Sequence, residues 1–534
     1  MQLDLKKIPF GKRLSRHMLY EETDNLGAGW AKGLYLALAA ESSSSFIGGP
    51  MLGPKGFALL TPTESGKNLA YTYTASPSEV TLKTEKGSLR FAIDGTKVLR
   101  ISGSGTGLRI NGRLGFGSIC IKTPRGIELT MGGSIYLMTA LRGTMSLDCH
   151  WDLKALHSTD PIITVEPDEA GAIDLAIYDT DDAYELPALN ESIDRCVADS
   201  AADFETFTAS IMKPSGNSSS FFDMCTYALW TGFQVFKGRE MVPSSIMSDM
   251  NVYSMEQPVV TLALSDAARA VDLVLDTLSF ATPLGMVPAW FAGRQNLDEA
   301  VPPVYAYAVS RMLDSGSIQR VPKEKLSALF DAMFKTVNWW LTKRTNNKAQ
   351  IFYAYRHECG WPKEKIFGAG TPCVSPDLQA YIILAADSLA KLAVMLGKDG
   401  SAASWGQICR EQLDILTTQL WDGTGFNSLN TMTGAKAPAE GMLSLIPLIL
   451  GKRLPESILA ALAEKAKNLS FDELPVIPAA LITLGLKASG KDTEAKAAAA
   501  ALVNTFAAGK PNTLAGAFYS PAASAALLAL GGLQ

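Results

Sequence analysis

The chain has 534 residues, 47% of them apolar and 19% charged, with a formal net charge of −5. That length allows two or more domains with large cores, and that composition excludes a disordered chain. The acidic balance speaks against a general nucleic-acid binder.

The opening residues, MQLDLKKIPF, hold no apolar signal region, and no run along the chain is read as membrane-spanning. The 7 cysteines include no CxxC pair, which fits a reducing compartment. With 4 histidines, His17, His150, His157 and His357, the composition speaks against a zinc site. The expectation is a cytoplasmic protein without metal or organic cofactor, whose partner is a small molecule or oligosaccharide rather than nucleic acid or membrane. A homo-oligomer is left open.

Residues 1–188 read as β-structure. Short alternating runs recur at 71–74, 80–84, 89–93, 119–122 and 162–165. Glu85-Lys86-Gly87, Asp94-Gly95 and Pro124-Arg125-Gly126 are turn signals between such runs, a pattern that predicts an antiparallel β-sandwich. Gly-Ser-Gly-Thr-Gly at 103–107 follows a strand but opens no helix, so it reads as a turn and not as a phosphate loop. Residues 189–214 carry a polar helical pattern and read as a linker helix. From 215 to 534 the period becomes helical. Candidates lie at 219–235, 256–280, 301–314, 323–344, 376–396, 401–420, 440–450, 455–468, 475–487, 491–508 and 518–531. This many one-sided helices joined by Gly/Pro loops fit a toroid of helical hairpins, and the absence of alternating strands argues against a β/α barrel.

The chemistry concentrates at 353–397. Tyr353, Tyr355, Arg356, His357, Glu358 and Trp361 crowd around Gly360. Ser375 is then a candidate N-cap, Pro376 suits the first helical position, Asp377 suits the positive end of the helix, and Gly397 closes it. A polar loop fixed to the start of a buried helix is a common way to build a site.

Four segments in order, PSSIMSDMNVYSMEQPVVTLAL (243–264), GMVPAWFAGRQNLDEAVPPVYAYAV (285–309), the stretch 357–397 and LWDGTGFNSLNTMTGAKAPAEGMLSLIPLILGKRLP (420–455), resemble the trehalase-like, six-hairpin glycoside hydrolases. They stand close to the glucosidase and mannosylglycerate hydrolase group, and AFYSPAASAALLAL (517–530) resembles that family's last helix. The resemblance implies a β-sandwich followed by an (α/α)6 toroid. It also implies a carbohydrate or glycoside bound at the toroid mouth, and inverting hydrolysis.

The same comparison shows a departure. The family's loop typically reads Asp-Ser-Gly-Trp-Asp-Asn, and its second Asp is the general acid. Here the loop reads Glu358-Cys359-Gly360-Trp361-Pro362-Lys363, and proline cannot donate a proton. The family's base, a Glu before the last helix, has no counterpart, since no Asp or Glu follows Glu494. Inverting hydrolysis needs two carboxyls, so others must serve if the chain is catalytic. Glu358 is the expected replacement acid, and Gly360 would let the loop turn it toward the leaving oxygen. Glu256, Asp298 and Glu473 are the candidates for its partner, and His357 for proton transfer.

Each has a plainer reading: a surface loop carboxylate for Glu358, helix-start charges for Glu256, Asp298 and Glu299, and a solvated turn for Asp472 and Glu473. Asp249 could equally cap a loop, and Asp377 reads as a helix-start residue. Tyr355 and Arg356 could hold an anionic sugar group, Trp290, Trp361 and Tyr519 could stack on sugar rings, and Gln257 completes the substrate-binding set. Two rival readings stay open. One is a lyase-like carbohydrate enzyme in which Tyr355, His357 or Tyr519 handles protons. The other is a non-catalytic carbohydrate-binding protein.

Overall fold

The computed structural model describes residues 1–23, 31–38, 57–114, 117–131, 134–180, 185–211, 219–243, 252–289, 299–438, 440–471, 473–507 and 521–531. The first part of the chain forms two antiparallel sheets. One is seven-stranded and runs in the order His17–Glu22, Gly33–Leu38, Ala58–Glu64, Gly107–Gly112, Ile162–Glu166, Thr144–Asp148, with Lys67–Asn68 paired onto the third. The other is eight-stranded: Ile119–Thr123, Gly126–Met131, Ser134–Arg142, Ala172–Thr180, Val98–Ser104, Ser88–Asp94, Val80–Lys83, Thr72–Ala75. Period-two alternation buries Leu60, Leu108 and Ile110 of the first sheet and Leu89, Phe91 and Ile101 of the second in one core. The rings of Phe57 and Tyr136 stack across it at 5.5 Å. The turn at 103–107 carries the chain from the second sheet to the first. Gly105 there has φ 68°, and a Cβ would lie 2.3 Å from the Lys86 carbonyl oxygen, so glycine is required.

The expected linker helix is α1, Ile193–Ser210, started by the Ser192 side chain accepting from the Arg195 amide. It packs on the strand Ser88–Asp94, where Ile193 and Cys196 cover Ala92 on the outer face of the second sheet. The helices that follow are α2 (Ser219–Gly232), α3 (Glu256–Ala263), α4 (Ala267–Leu278), α5 (Tyr305–Asp314) and α6 (Lys323–Lys343). They continue with α7 (Pro376–Leu396), α8 (Asp399–Asp414), α9 (Glu456–Lys467), α10 (Val476–Ala488), α11 (Asp492–Ala507) and α12 (Pro521–Gly531).

Three expectations need correction. The single helix read over 256–280 is two, because Asp266 leaves the helical region (φ −134°) and its side chain accepts from the Arg269 amide to start α4. The helix read over 440–450 is 3-10 in character. It runs as Met442–Ser444 and Ile446–Arg453, with Pro447 lacking an amide proton and Gly451 outside helical geometry. Finally, α7 is by length and composition apolar enough to cross a membrane, which the linear reading missed. In the fold, 72% of its most apolar window is buried against other parts of the chain, as in a core helix.

The packing order of the helices is cyclic. α3 packs on α5, α5 on α7, α7 on the Ile446–Arg453 segment, that segment on α10, α10 on α12, and α12 back on α3. The remaining helices lie against this set: α2 on α12, α4 on α3, α6 on α7, α8 on α7, α9 on Ile446–Arg453 and α11 on α10. Among the described residues, strands in this half are short: the hairpin Gln234–Phe236/Arg239–Met241 and the trio Cys373–Val374, Ser428–Asn430 and Lys436–Ala437.

Where α10 meets the 3-10 segment, a Cβ on Gly485 would lie 2.6 Å from the backbone carbon of Leu448, which has no freedom to yield. Alanine gains about 1 kcal/mol of helix propensity over glycine, but overpacking costs about 1–3 kcal/mol. Gly485→Ala is therefore expected to lower the urea midpoint. Gly406→Ala in α8, where the nearest atom is the flexible end of Arg410 at 3.6 Å, is expected to raise it. The pair of shifts, measured side by side, checks the close approach.

Candidate active site

The N-terminal ends of successive members of the cyclic set open on one cavity. Glu256 begins α3, Val304 precedes α5, and Asp377 and Tyr381 lie in the first turns of α7. Leu443 and Ile446 come from the 3-10 segments, and Ile477, Pro478 and Leu481 from the start of α10. Tyr253, Cys359 and Trp361 complete the lining. Helix N-termini carry partial positive charge, so this end of the bundle favours anions. The cavity is narrow, about 20 Å³, which is room for one water.

Glu256 is 1% exposed, and its Oε2 has no hydrogen-bond partner. Burial pushes its carboxyl up to about 8, so it holds its proton at neutral pH. Tyr307, also buried, leaves its hydroxyl unpartnered; burial and the nearby Glu256 both raise its pKa, opposed by Arg311. Asp377 is raised to about 6, again by burial, while hydrogen bonds from Ser375 and Tyr353 pull the other way. The Tyr353 hydroxyl donates to Asp377 Oδ2 at 2.9 Å, and the Ser375 hydroxyl donates to Oδ1. Ser375 thus serves the Asp377 carboxylate and makes no side-chain cap to the backbone of α7. The two cavity carboxyls differ because Asp377 has two hydroxyl donors and Glu256, apart from its own amide, has none among the described residues.

Glu358 occupies a different position. It is 0% exposed, and four donors saturate it. Oε1 accepts from Arg344 Nη2 at 2.9 Å and the Ala300 amide at 3.2 Å, and Oε2 accepts from the amides of Ala354 at 2.7 Å and Tyr355 at 3.1 Å. Burial raises its pKa, and Arg344 and the amides oppose the rise. Gly360, φ 80°, does turn the loop, packing its Cα side against the Tyr253 ring. The turn leaves Trp361, not Glu358, lining the cavity.

Of the residues singled out in the sequence, Glu256 and Trp361 meet at the cavity. Gln257 is buried beside Glu256, with both side-chain amide atoms unpartnered. Tyr355, Arg356 and His357 are exposed on a 3-10 turn, and His357 Nδ1 stands 3.8 Å from Glu299. Glu473 is exposed in the turn before α10, its amide donating to the Ser470 carbonyl. Trp290, Asp298, Tyr519, Asp249 and Asp472 lie outside the described residues. The linear reading missed Tyr381 and Arg344 and took Asp377 for a helix-start residue. The available signal was that Glu256 and Asp377 each open a helix, with Tyr381 one turn after Asp377 on the same face.

Residues 350–480 match the family model of the mannosylglycerate hydrolase MGH1-like glycoside hydrolase domain. That segment is similar to the six-hairpin glycosidases. The structure is similar to a family GH92 alpha-mannosidase from Bacteroides thetaiotaomicron in complex with mannoimidazole. The TM-score is 0.61 at 10% identity, over 98% of this chain and 82% of that one. It is also similar to a family GH92 inverting mannosidase from the same organism, with a TM-score of 0.54 at 10% identity over 89% and 70%. At such identity the likeness is one of fold. No curated protein sequence matches the chain.

Two predictions follow from the site's electrostatics. Every partner of Glu358 is a donor, so the NH₂ of a glutamine would face another donor, and Arg344 would lose its counter-charge. Glu358→Gln is expected to destabilise the fold by about 3–5 kcal/mol, the usual cost of breaking a buried pair, read from urea unfolding.

Glu256 titrates at about 8 in the folded chain against an ordinary 4.5. The folded state therefore holds an extra proton between those values, and stability drains away as pH rises through that window, by at most about 1.4 kcal/mol per pH unit. Glu256→Gln removes this slope. The stability of the variant relative to the parent should climb steadily with pH across the window, and a pH-independent difference would refute the assignment.

Proposed function

We propose that the chain is a glycoside hydrolase and that its cyclic helix packing is an (α/α)6 toroid with the substrate bound at the N-terminal ends of the inner helices. The observation that carries this reading is a buried carboxylic acid, Glu256, with a partner-free oxygen on a cavity in a chain whose 350–480 segment matches a glycoside hydrolase family. Burial keeps Glu256 protonated at neutral pH, as a general acid requires, while Asp377 on the same cavity is ionised.

The proposed reaction is inverting. Glu256 gives its proton to the glycosidic oxygen as the bond to the anomeric carbon breaks. A water attacks that carbon from the opposite face and gives a proton to Asp377, leaving a free sugar of inverted configuration and an alcohol. Asp377 already accepts from Tyr353 and Ser375, but each carboxylate oxygen has a second lone pair. The cavity admits a water as it stands, and a sugar ring enters only when a wall moves. Trp361 is the proposed sugar platform. Glu358 in this reading is a positioning residue that fixes the Trp361 loop through Arg344, replacing the acid role expected of it. A second reading, carbohydrate binding without turnover, is favoured by the narrowness of the cavity and by the saturation of Glu358.

Turnover of nitrophenyl glycosides should rise with pH through about 6 as Asp377 ionises and fall through about 8 as Glu256 loses its proton. Glu256→Gln should cut kcat by roughly 10²–10⁴-fold with a much smaller change in binding. Parent-like turnover in that variant would remove Glu256 from the mechanism, and binding across a glycoside panel with no turnover by the parent would establish the second reading.

A further inference from the structure

A second recess lies in the β-half, remote in sequence from the helical cavity. It is a cleft of about 570 Å³ on the seven-stranded sheet, within the usual 300–1,000 Å³ of small-molecule sites. Strand alternation builds it: Leu108 and Ile110 point into the core, and Arg109 and Asn111 point outward into the cleft. Asp160, Arg113 and the 42% exposed Ile162 stand on its rim and floor.

The charge on these side chains is unbalanced. Arg113 lies 3.7 Å from Asp160, so those two compensate each other. Arg109 is held by neutral oxygens, donating through Nη1 to Asn68 Oδ1 at 2.9 Å and through Nη2 to the Gly66 carbonyl at 2.5 Å. Among the described residues no carboxylate lies within ion-pair distance of it, and its Nε–H is buried without a partner. A guanidinium has five N–H donors; with Nε–H sealed from solvent, the second N–H of Nη1 and of Nη2 remain for an anion, and this fork matches a carboxylate. Around it, Asn111 and Asp160 offer the mixed donors and acceptors that hydroxyl groups need, and Ile162 and Leu59 offer apolar surface for the C–H face of a ring.

We infer that this cleft is a second, non-catalytic binding site for an acidic saccharide, with Arg109 receiving the sugar's carboxylate. Among the described residues its lining holds one carboxyl, Asp160, and not the pair that glycoside hydrolysis needs. The site is independent of the proposed hydrolase reading, because no residue is shared between the cleft and the helical cavity.

Isothermal titration of the full chain with glucuronate, glucose and sulfate tests it. Glucuronate should bind at least tenfold more tightly than glucose or sulfate, and Arg109→Gln should weaken glucuronate by at least tenfold while Arg109→Lys weakens it less. Equal binding of glucose would overturn the role of charge, and equal binding of sulfate would reduce the cleft to a simple anion site. Unchanged binding in folded Arg109→Gln would place the ligand elsewhere, and no binding of glucuronate would overturn the inference outright. The comparison of the three ligands on the parent chain stands whether or not the variants fold.

Discussion

The buried ion pair of Glu358 with Arg344 is the constraint on which the site's geometry rests. A carboxylate with no exposure survives in a fold only when its lone pairs are satisfied, and here a guanidinium and three backbone amides do so. Those amides belong to Ala300, Ala354 and Tyr355, so one side chain ties the segment before α5 to the beginning of the 353–361 loop. The Tyr353 strand pairing with Cys373 then passes the constraint to the start of α7, where the Tyr353 hydroxyl meets Asp377. The loop cannot release Glu358 to a substrate without leaving Arg344 and these amides unpaired.

The cavity shows two opposing physical effects in one place. Helix N-termini favour negative charge, while desolvation disfavours it. Direct hydrogen bonds decide between them. Burial raises both, but Asp377, with two hydroxyl donors, rises only to about 6, and Glu256, with an oxygen left bare, rises to about 8. The difference separates two carboxyls of the same chemistry into one that keeps its proton and one that is ionised at neutral pH. This separation arises although the loop position that holds the acid in resembling proteins is occupied here by Pro362.

The β-half is more than a pedestal for the helices. Its second sheet gives its outer face to α1, through Ala92, Ile193 and Cys196, and the Asp203 carboxylate of α1 receives both Arg13 and the Trp230 indole of α2 at 2.7 Å. The opening residues are held in turn by Tyr227, whose hydroxyl accepts from Gly11 and donates to Pro9. The first sheet carries on its outward face an apolar cluster of Met18, Tyr20, Tyr35 and Ala37 beside the polar Arg109 and Asn111, and the charge left on Arg109 there is of a kind that a folding constraint alone does not require.

Much of the architecture was legible in the sequence because hydrophobic period is a local property. Alternation by two marked the strands and spacing by three and four marked the helices; the change near residue 190 separated them. Pro376 and Gly397 bounded α7 as chain chemistry demands. What failed locally was the continuity of 256–280, where a capping Asp266 won over an unbroken apolar pattern, and the type of 440–450, where Pro447 and flanking glycines prevented a regular helix. The roles of the carboxyls were not legible. Glu358 and Glu256 are the same residue type, and only the tertiary structure surrounds one with four donors and leaves an oxygen of the other bare. Hydrogen bonding and burial are set by segments far apart in the chain, so which carboxyl keeps its proton is a property of the packed fold, whereas the presence of a carboxyl at the head of α3 and of α7 was already written in the sequence.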